Sequence, residues 1–516
     1  MKGKPMMKMN RRNLLKTMAG ACSAAALSRY VRAQANAFVA TRESLQAYQV
    51  PNWFRDAKFG IWSHWGPQSA IEDGDWYARN MYIQGTDQYL YHCETYGHPS
   101  KVGYKDLVND WKAAKWDPDH LMSLYKKAGA KYFFSMGVHH DNFDLWNSKY
   151  TRWNAVNMGP KKDVVGMWQK AAQKYGLRFG VSEHLWISYK WFSVSHGSDA
   201  TGPLAGVSYD GVDPQYADLY HDAGCAQFAS PKVQWDDNGI PDSWRKHYLD
   251  RMTDLIDKYQ PDLLYTDGHL PFEEYGLKMV AHLYNVSAQL HGGATEAIYT
   301  SKQASDCAVG TCVLDHERGV ADGISANPWQ TDTCIGGWHY KRGVKYKTPK
   351  KVIDLLTDIV SKNGNLLLNF PLPNSGELDF EEMEVLEGIT AWMQVNSEGI
   401  YSTRPWKIYG EGPSTKVKLD NTRFNEDKQQ ELTANDVRFT TRSSTLYAFV
   451  MGWPEKEATV EALGLQSPQQ PGKIQKVELL GHKGALDWKQ DDAALKVQMP
   501  AQKLSDIGIT LKLELA

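Results

Sequence analysis

Four short apolar runs, each ending in side chains able to carry acid/base or hydrogen-bonding chemistry, constrain this chain more than any other feature. They are Lys58-Phe59-Gly60-Ile61-Trp62-Ser63-His64-Trp65-Gly66, Tyr132-Phe133-Phe134-Ser135-Met136-Gly137-Val138-His139-His140-Asp141, Phe179-Gly180-Val181-Ser182-Glu183-His184 and Leu263-Leu264-Tyr265-Thr266-Asp267-Gly268. Helical stretches separate them. One opens at Asp117-Pro118-Asp119 and closes at Gly129, a second over 163–175 closes at Gly176, and a third over 243–259 precedes Pro261. Later strands are predicted at 297–300, 312–315 and 365–370, the last after a helix over 352–361. Strand alternating with helix predicts a parallel sheet with helices outside. In a (β/α)₈ barrel the C-terminal strand ends converge on one mouth, where such barrels do chemistry. A (β/α)₈-like barrel is therefore expected over residues 36–404.

A chain of 516 residues has room for a second module. Beyond about residue 400 the pattern changes to short strands between turn residues: Lys416-Val417-Lys418-Leu419, Leu446-Tyr447-Ala448-Phe449-Val450, Val477-Glu478-Leu479-Leu480 and Ile509-Thr510-Leu511-Lys512-Leu513. These predict a C-terminal antiparallel β-sandwich over 405–516. Residues 186–244, rich in Gly, Asp, Ser and Pro, read as a long functional excursion from the barrel.

At the start, Asn10-Arg11-Arg12-Asn13-Leu14-Leu15-Lys16 resembles a twin-arginine export signal. A weakly apolar stretch over 17–28 and a small-residue site near Ala33-Gln34-Ala35 follow it, so residues 1–35 are expected to direct export to the periplasm or beyond. The apolar stretch is too short for stable membrane insertion. Its loss would leave Cys93, Cys225, Cys307, Cys312 and Cys334; without a CxxC pair, these read as buried free thiols rather than a metal knuckle. Net charge is −2, which gives no electrostatic footprint for nucleic acid or an anionic membrane. The 19 Trp and 27 Tyr supply flat faces suited to the apolar C–H faces of sugars.

His64, His139 and His140 could gather a metal. Adjacent strand residues point to opposite faces, however, so His139 and His140 share one site only if the strand has already ended. Neutral imidazoles, each with one donor and one acceptor, also match sugar hydroxyls, and no metal or cofactor is called for. Asp267 follows an apolar strand and precedes Gly268, which lets the backbone turn away and leaves the carboxylate at the rim. Glycoside hydrolysis needs a second carboxyl group from another strand end. Glu317, in Val313-Leu314-Asp315-His316-Glu317-Arg318-Gly319, is the leading candidate, with Glu183, Glu273, Glu274 and Glu296 behind it. Arg318 either holds a neighbouring carboxylate ionised or forms a surface ion pair.

Several further motifs occur in order. Trp53-Phe54-Arg55-Asp56-Ala57-Lys58-Phe59-Gly60-Ile61 runs on through His64-Trp65-Gly66, and Asp75-Trp76-Tyr77-Ala78-Arg79-Asn80-Met81-Tyr82 follows. Then come His139-His140-Asp141 with Leu145-Trp146, Gly159-Pro160-Lys161-Lys162-Asp163-Val164-Val165-Gly166, and Tyr265-Thr266-Asp267-Gly268. Val360-Ser361-Lys362-Asn363-Gly364-Asn365-Leu366-Leu367-Leu368-Asn369 and Gly399-Ile400-Tyr401-Ser402-Thr403-Arg404-Pro405-Trp406 complete the set. Together they resemble glycoside hydrolase family 29, the α-L-fucosidases. The resemblance implies an exo-acting retaining enzyme on a fucosylated glycan, with Asp267 as nucleophile, His64, His139 and His140 on fucose hydroxyls, and Trp76 in the pocket. Glu317 takes the acid/base role from its strand-end context, and Trp338 or Tyr265 is the expected apolar wall for the sugar's methyl group. Two positions depart from the family pattern. Asp75 stands where the family usually has Glu, one methylene longer, and Tyr265-Thr266-Asp267 where it usually has Trp-Phe-Asp. Those departures leave open α-L-galactosides or substituted fucose as substrates, and a catalytically silent carbohydrate-binding protein is the rival from another class.

Overall fold

The computed structural model describes residues 37–307, 310–418 and 422–516. The expected export signal lies outside them. Eight parallel strands close into a barrel in sequence order: β1 (Phe59–Ser63), β2 (Tyr132–Val138), β3 (Arg178–Glu183), β4 (Leu263–Thr266), β5 (Ile298–Ser301), β6 (Val313–Asp315), β7 (Trp329–Cys334) and β8 (Gly364–Asn369). Pairing of Phe59 with Leu366 through Trp62 with Asn369 joins β1 to β8. The principal helices are α1 (Pro118–Lys127), α2 (Val164–Lys174), α3 (Asp242–Tyr259), α4 (Glu274–Leu290), α5 (Pro349–Ser361) and α6 (Phe380–Asn396). Sequence signals act locally where expected: Asp117 and Asp163 cap α1 and α2 by accepting from the backbone N–H of His120 and Gly166.

Side chains alternate across each strand. On β2, Phe133 packs outward between Tyr125 of α1 and Trp168 of α2, while Tyr132 and Phe134 turn inward to join Trp62, Leu263, Tyr265, Ile298, Val313 and Leu367 in the barrel's own core. Small residues make room for these rings: a Cβ on Gly180 would sit 2.7 Å from the ring of Phe134. Strand β7 is not among the predicted strands. Its Trp-Gln-Thr-Asp-Thr-Cys sequence lacks an apolar run because Gln330 and Asp332 face the interior, where both are hydrogen-bonded. Between β5 and β6 the described residues include one helical turn, Ala304–Cys307.

The C-terminal part forms two antiparallel sheets. The larger contains β9 (Arg404–Glu411), β10 (Val437–Arg442), β11 (Thr445–Val450), β13 (Ile474–Leu479) and β16 (Ile509–Leu515) in the order β13-β16-β11-β10-β9. The smaller has β12 (Glu457–Val460), β14 (Trp488–Gln490) and β15 (Leu495–Gln498), with β15 central. Leu446, Ala448 and Val450 face the small sheet's core, whereas Tyr447, Phe449 and Met451 join the core under the barrel helices. The strand expected at Lys416-Val417-Lys418-Leu419 is absent. A 3₁₀ turn over Pro413–Lys416, which Pro413 favours by fixing φ, replaces it, and Leu419 lies outside the described residues. The free-thiol expectation is corrected for two cysteines: Cys307 and Cys312 form a disulfide, while Cys93, Cys225 and Cys334 are free. Among the described residues no helix is long and apolar enough to cross a membrane.

Candidate active site

Period two explains how the site is assembled. The inward register of β4 passes through Leu263 and Tyr265 to Asp267; that of β6 passes through Val313 and Asp315 to Glu317; that of β5 passes through Ile298 and Thr300 to Lys302. Likewise Trp62 leads to His64 on β1, Ser182 to His184 on β3 and Gln330 to Asp332 on β7. All these terminal residues line one cavity of about 580 Å³ at the C-terminal mouth, together with Asp75, Trp76, His139, His140, Tyr265 and Trp338. Every residue given a catalytic or sugar-binding role from sequence therefore reaches the same cavity.

His139 and His140 do so because β2 stops at Val138, after a register shift between Met136 and Val138. His139 Nδ1 accepts from the Gln68 side-chain amide at 2.9 Å, which places the proton of the neutral ring on Nε2. His140 Nδ1 donates to the His184 carbonyl at 2.6 Å. Burial, reinforced by neighbouring imidazoles, holds His64 and His139 well below the usual histidine range; burial also lowers His184 to about 4, against the pull of Asp267. Both ring nitrogens of His64 and Nε2 of His184 have no protein partner among the described residues, so they are positioned to bind ligand hydroxyls. Ligating atoms of His64, Asp75, His139 and His339 lie within 4.8 Å of one another, and so do those of His139, His140 and His184. His339 Nδ1 donates to Asp75 at 2.6 Å and thereby orients its carboxylate.

Asp267 accepts from His184 Nδ1 at 3.0 Å and from Lys302 Nζ at 2.7 Å, with His140 Nε2 3.3 Å away. Gly268 then takes φ 125° and passes close under Trp186, whose indole donates to the Asp267 carbonyl at 2.6 Å. Lys302 Nζ also lies 2.7 Å from Glu317 and 3.6 Å from Asp332, and Asp332 accepts from the Tyr265 hydroxyl at 2.9 Å. Burial opposes ionisation of Asp267, but Lys302 and the two histidines outweigh it and hold the carboxylate well below its usual range. For Glu317 burial dominates, Lys302 opposes it, and Asp332 and Asp267 add to it; the net result is a raised pKa. Burial works against the charge of Lys302, yet the three carboxylates raise its pKa and keep it cationic. Two carboxyl groups driven apart in this way can serve as an ionised base or nucleophile and a protonated acid.

None of the other candidate acids lines the cavity. Glu183 is buried behind it, accepting from the Tyr248 hydroxyl at 2.9 Å and from the Leu185 N–H at 3.0 Å. Glu273 pairs with Arg42, Glu274 with Lys278, and Glu296 lies 3.6 Å from Arg178. Arg318 points away from the mouth to Glu426 at 2.7 Å. Sequence reading assigns no role to His184, Lys302, Asp332 or His339, although the same two-residue register that exposes Asp267 also marks the first three.

A closed parallel barrel with a lysine-linked carboxyl pair and a histidine- and tryptophan-lined pocket defines the class: a (β/α)₈-barrel glycoside hydrolase. The family described as Alpha-L-fucosidase matches residues 25–398, and its C-terminal domain matches residues 429–514. Human tissue alpha-L-fucosidase is 25% identical over 470 residues, covering 89% of this chain and 86% of the relative. Human plasma alpha-L-fucosidase is 26% identical over 480 residues, covering 90% and 89%. The crystal structure of the Thermotoga maritima alpha-fucosidase in complex with fucose is 25% identical, with a TM-score of 0.68 over 92% of this chain and 100% of that one. The chain belongs to the α-L-fucosidase family, glycoside hydrolase family 29.

Proposed function

We propose that this protein is an exported, exo-acting retaining α-L-fucosidase that releases α-linked L-fucose from fucosylated glycans by double displacement. The observation that carries the mechanism is the 2.7 Å contact of Lys302 Nζ with both Asp267 and Glu317. Two contacts on one nitrogen keep the nearest carboxylate oxygens within twice that distance, which supports the closely spaced carboxyl pair, about 5–5.5 Å apart, of retaining enzymes. Asp267 attacks the anomeric carbon while Glu317 gives its proton to the leaving oxygen. In the second half-reaction the Glu317 carboxylate takes a proton from the water that displaces Asp267.

His64, His139, His140, Asp75 and Trp76 hold the sugar's hydroxyls and ring. Trp62 lies 5.0 Å from Tyr265 and 5.6 Å from Trp338, ring centre to ring centre, which makes one apolar wall for the sugar's methyl group. Retention is tested by NMR of the first-formed sugar: the α anomer should precede mutarotation, and a first-formed β anomer would reject the scheme. Export rests on Arg11-Arg12 and the apolar stretch after them. Replacing both arginines by lysine should leave the protein in the cytoplasm of a bacterial host.

A further inference from the structure

The outer face of β6 carries a second cavity, of about 470 Å³, that shares no lining residue with the catalytic one. Its origin lies in the strand's period of two. Val313 and Asp315 point into the barrel, so Leu314 and His316 point out, where a barrel helix ordinarily covers them. Here the segment before β6 holds one helical turn among the described residues, and residues 316–328 hold none. Side chains from residues 46–55 and 325–328 close the space instead, together with the Cys307–Cys312 disulfide. These walls are held by contacts of their own. The Tyr48 hydroxyl donates to the Ala297 carbonyl at 3.0 Å, and its ring stacks on Tyr284 at 4.3 Å. The Ser325 N–H and the Trp329 indole both donate to the Lys362 carbonyl, at 3.2 and 2.9 Å.

Two polar side chains face this cavity without a partner. The Arg55 guanidinium makes no ion pair or hydrogen bond among the described residues, its buried Nε included, and the adjacent Asp56 pairs with Arg404 at 2.8 Å instead. His316 is 7% exposed, with its ring edge-on to Trp329 at 5.0 Å between centres, and its ring nitrogens have no hydrogen-bond partner among the described residues. Burial, helped by the charge of Arg423, pushes its pKa down to about 4, so at neutral pH it offers one N–H and one lone pair. No acidic side chain lines the cavity among the described residues. The amides of Gln46, Gln49 and Asn327 and the apolar Val50, Leu314 and Pro328 complete it. A guanidinium without a counter-ion attracts an anion, and a planar carboxylate matches its fork of donors. The volume is that of a small-molecule site, apolar with a few placed polar groups.

We infer that this cavity is a second ligand site, separate from the catalytic one, that takes a small organic carboxylate. Arg55 holds the carboxylate, the His316 N–H is a second donor, and Val50, Leu314 and Pro328 receive a ring-sized apolar body. The inference goes beyond the fucosidase reading and does not depend on it. It is tested by calorimetric titration of the full chain with 1-naphthoate, with 1-naphthylmethanol as the uncharged counterpart. The acid should bind one-to-one with a Kd below about 1 mM, and the alcohol at least about ten-fold more weakly. Arg55→Gln should weaken the acid at least about ten-fold without lowering the melting temperature of the free protein. Ala326→Trp, which fills the cavity from its exposed rim, should abolish binding; if either variant fails to fold, the other decides. Lys302→Met reports on the cation of the catalytic cavity. A loss there with Arg55→Gln unaffected places the acid at the catalytic site and overturns the inference. Equal affinity for acid and alcohol, or no binding heat up to about 10 mM acid, overturns it as well.

Discussion

A single ammonium group sets the chemistry at the scale of residues. Lys302 contacts both proposed catalytic carboxylates, so its charge stabilises the anionic form of each. In the free enzyme Asp267 must be ionised and Glu317 protonated. For a poor leaving group, kcat/KM should therefore rise with pH along a limb set by Asp267, well below the usual carboxylate range, and fall along a limb set by Glu317, displaced upward. Lys302→Met removes a cation from both groups, so both limbs should move to higher pH; a pH profile that keeps its limbs would reject this role. Asp267→Asn should cost about ten-thousand-fold or more in kcat/KM without lowering the melting temperature. Glu317→Ala should lose about a hundred- to ten-thousand-fold on poor leaving groups but far less on an activated aryl fucoside, with azide restoring the second step. Equal losses on both substrates, with no azide rescue, would pass the role to another group. Because the histidines are read as hydroxyl-binding, dialysis against a chelator should leave turnover unchanged; a stoichiometric metal needed for rate would contradict that reading.

Elements matter here through register and anchoring. A strand exposes its inward residues every second position, and the site is the last inward position of six strands. Strand β2 departs from that rule: by ending at Val138 it lets two adjacent histidines face one cavity. The segment around Glu426 does the work of a barrel loop although it comes from the C-terminal part of the chain. Burial opposes the charge of Glu426, but Lys347, Thr333 and Arg318 outweigh it and lower its pKa. Glu426→Ala would leave two cations without their buried partner and should cost about 3–5 kcal/mol by urea denaturation at neutral pH. Because the folded pKa is depressed, this contribution is present above the unfolded value of about 4.3 and is lost as pH falls through the folded one. The stability gap between wild type and Glu426→Ala should accordingly close on acidification; a gap independent of pH would show that packing, not charge, holds the segment.

For the molecule as a whole, one face of the large C-terminal sheet packs into the core under the barrel helices, so the two parts do not merely touch across a polar seam. Tyr447, Phe449 and Met451 of the large sheet lie in the barrel's cluster. The Trp392 indole of α6 donates to the Gly508 carbonyl at 2.9 Å. Arg438 of β10 meets Asp358 of α5 at 2.6 Å, with both side chains buried. Separating the two parts would expose that apolar surface and strand a buried ion pair. Calorimetry should therefore show one cooperative unfolding transition, and two resolved transitions would refute the coupling.

Apolar runs ending in His64, His139, His184 and Asp267 made the barrel legible from sequence, because strand periodicity and helix caps are local and are written into consecutive residues. Gly268 after an apolar strand marked Asp267 for the rim, and a strand-end context marked Glu317. The sequence left out partners that come together only in space. Lys302 follows a short run with no motif around it, His339 orients Asp75 from a loop more than 260 residues away in sequence, β7 is masked by inward Gln330 and Asp332, and Phe424, which lines the cavity, arrives from beyond the barrel. The Cys307–Cys312 disulfide likewise has no CxxC spacing to announce it. Local patterns determined which strands exist and what each one ends in. Barrel closure decided which ends face each other, and with that which carboxyl group a lysine and two histidines hold ionised and which one burial shifts toward its protonated form.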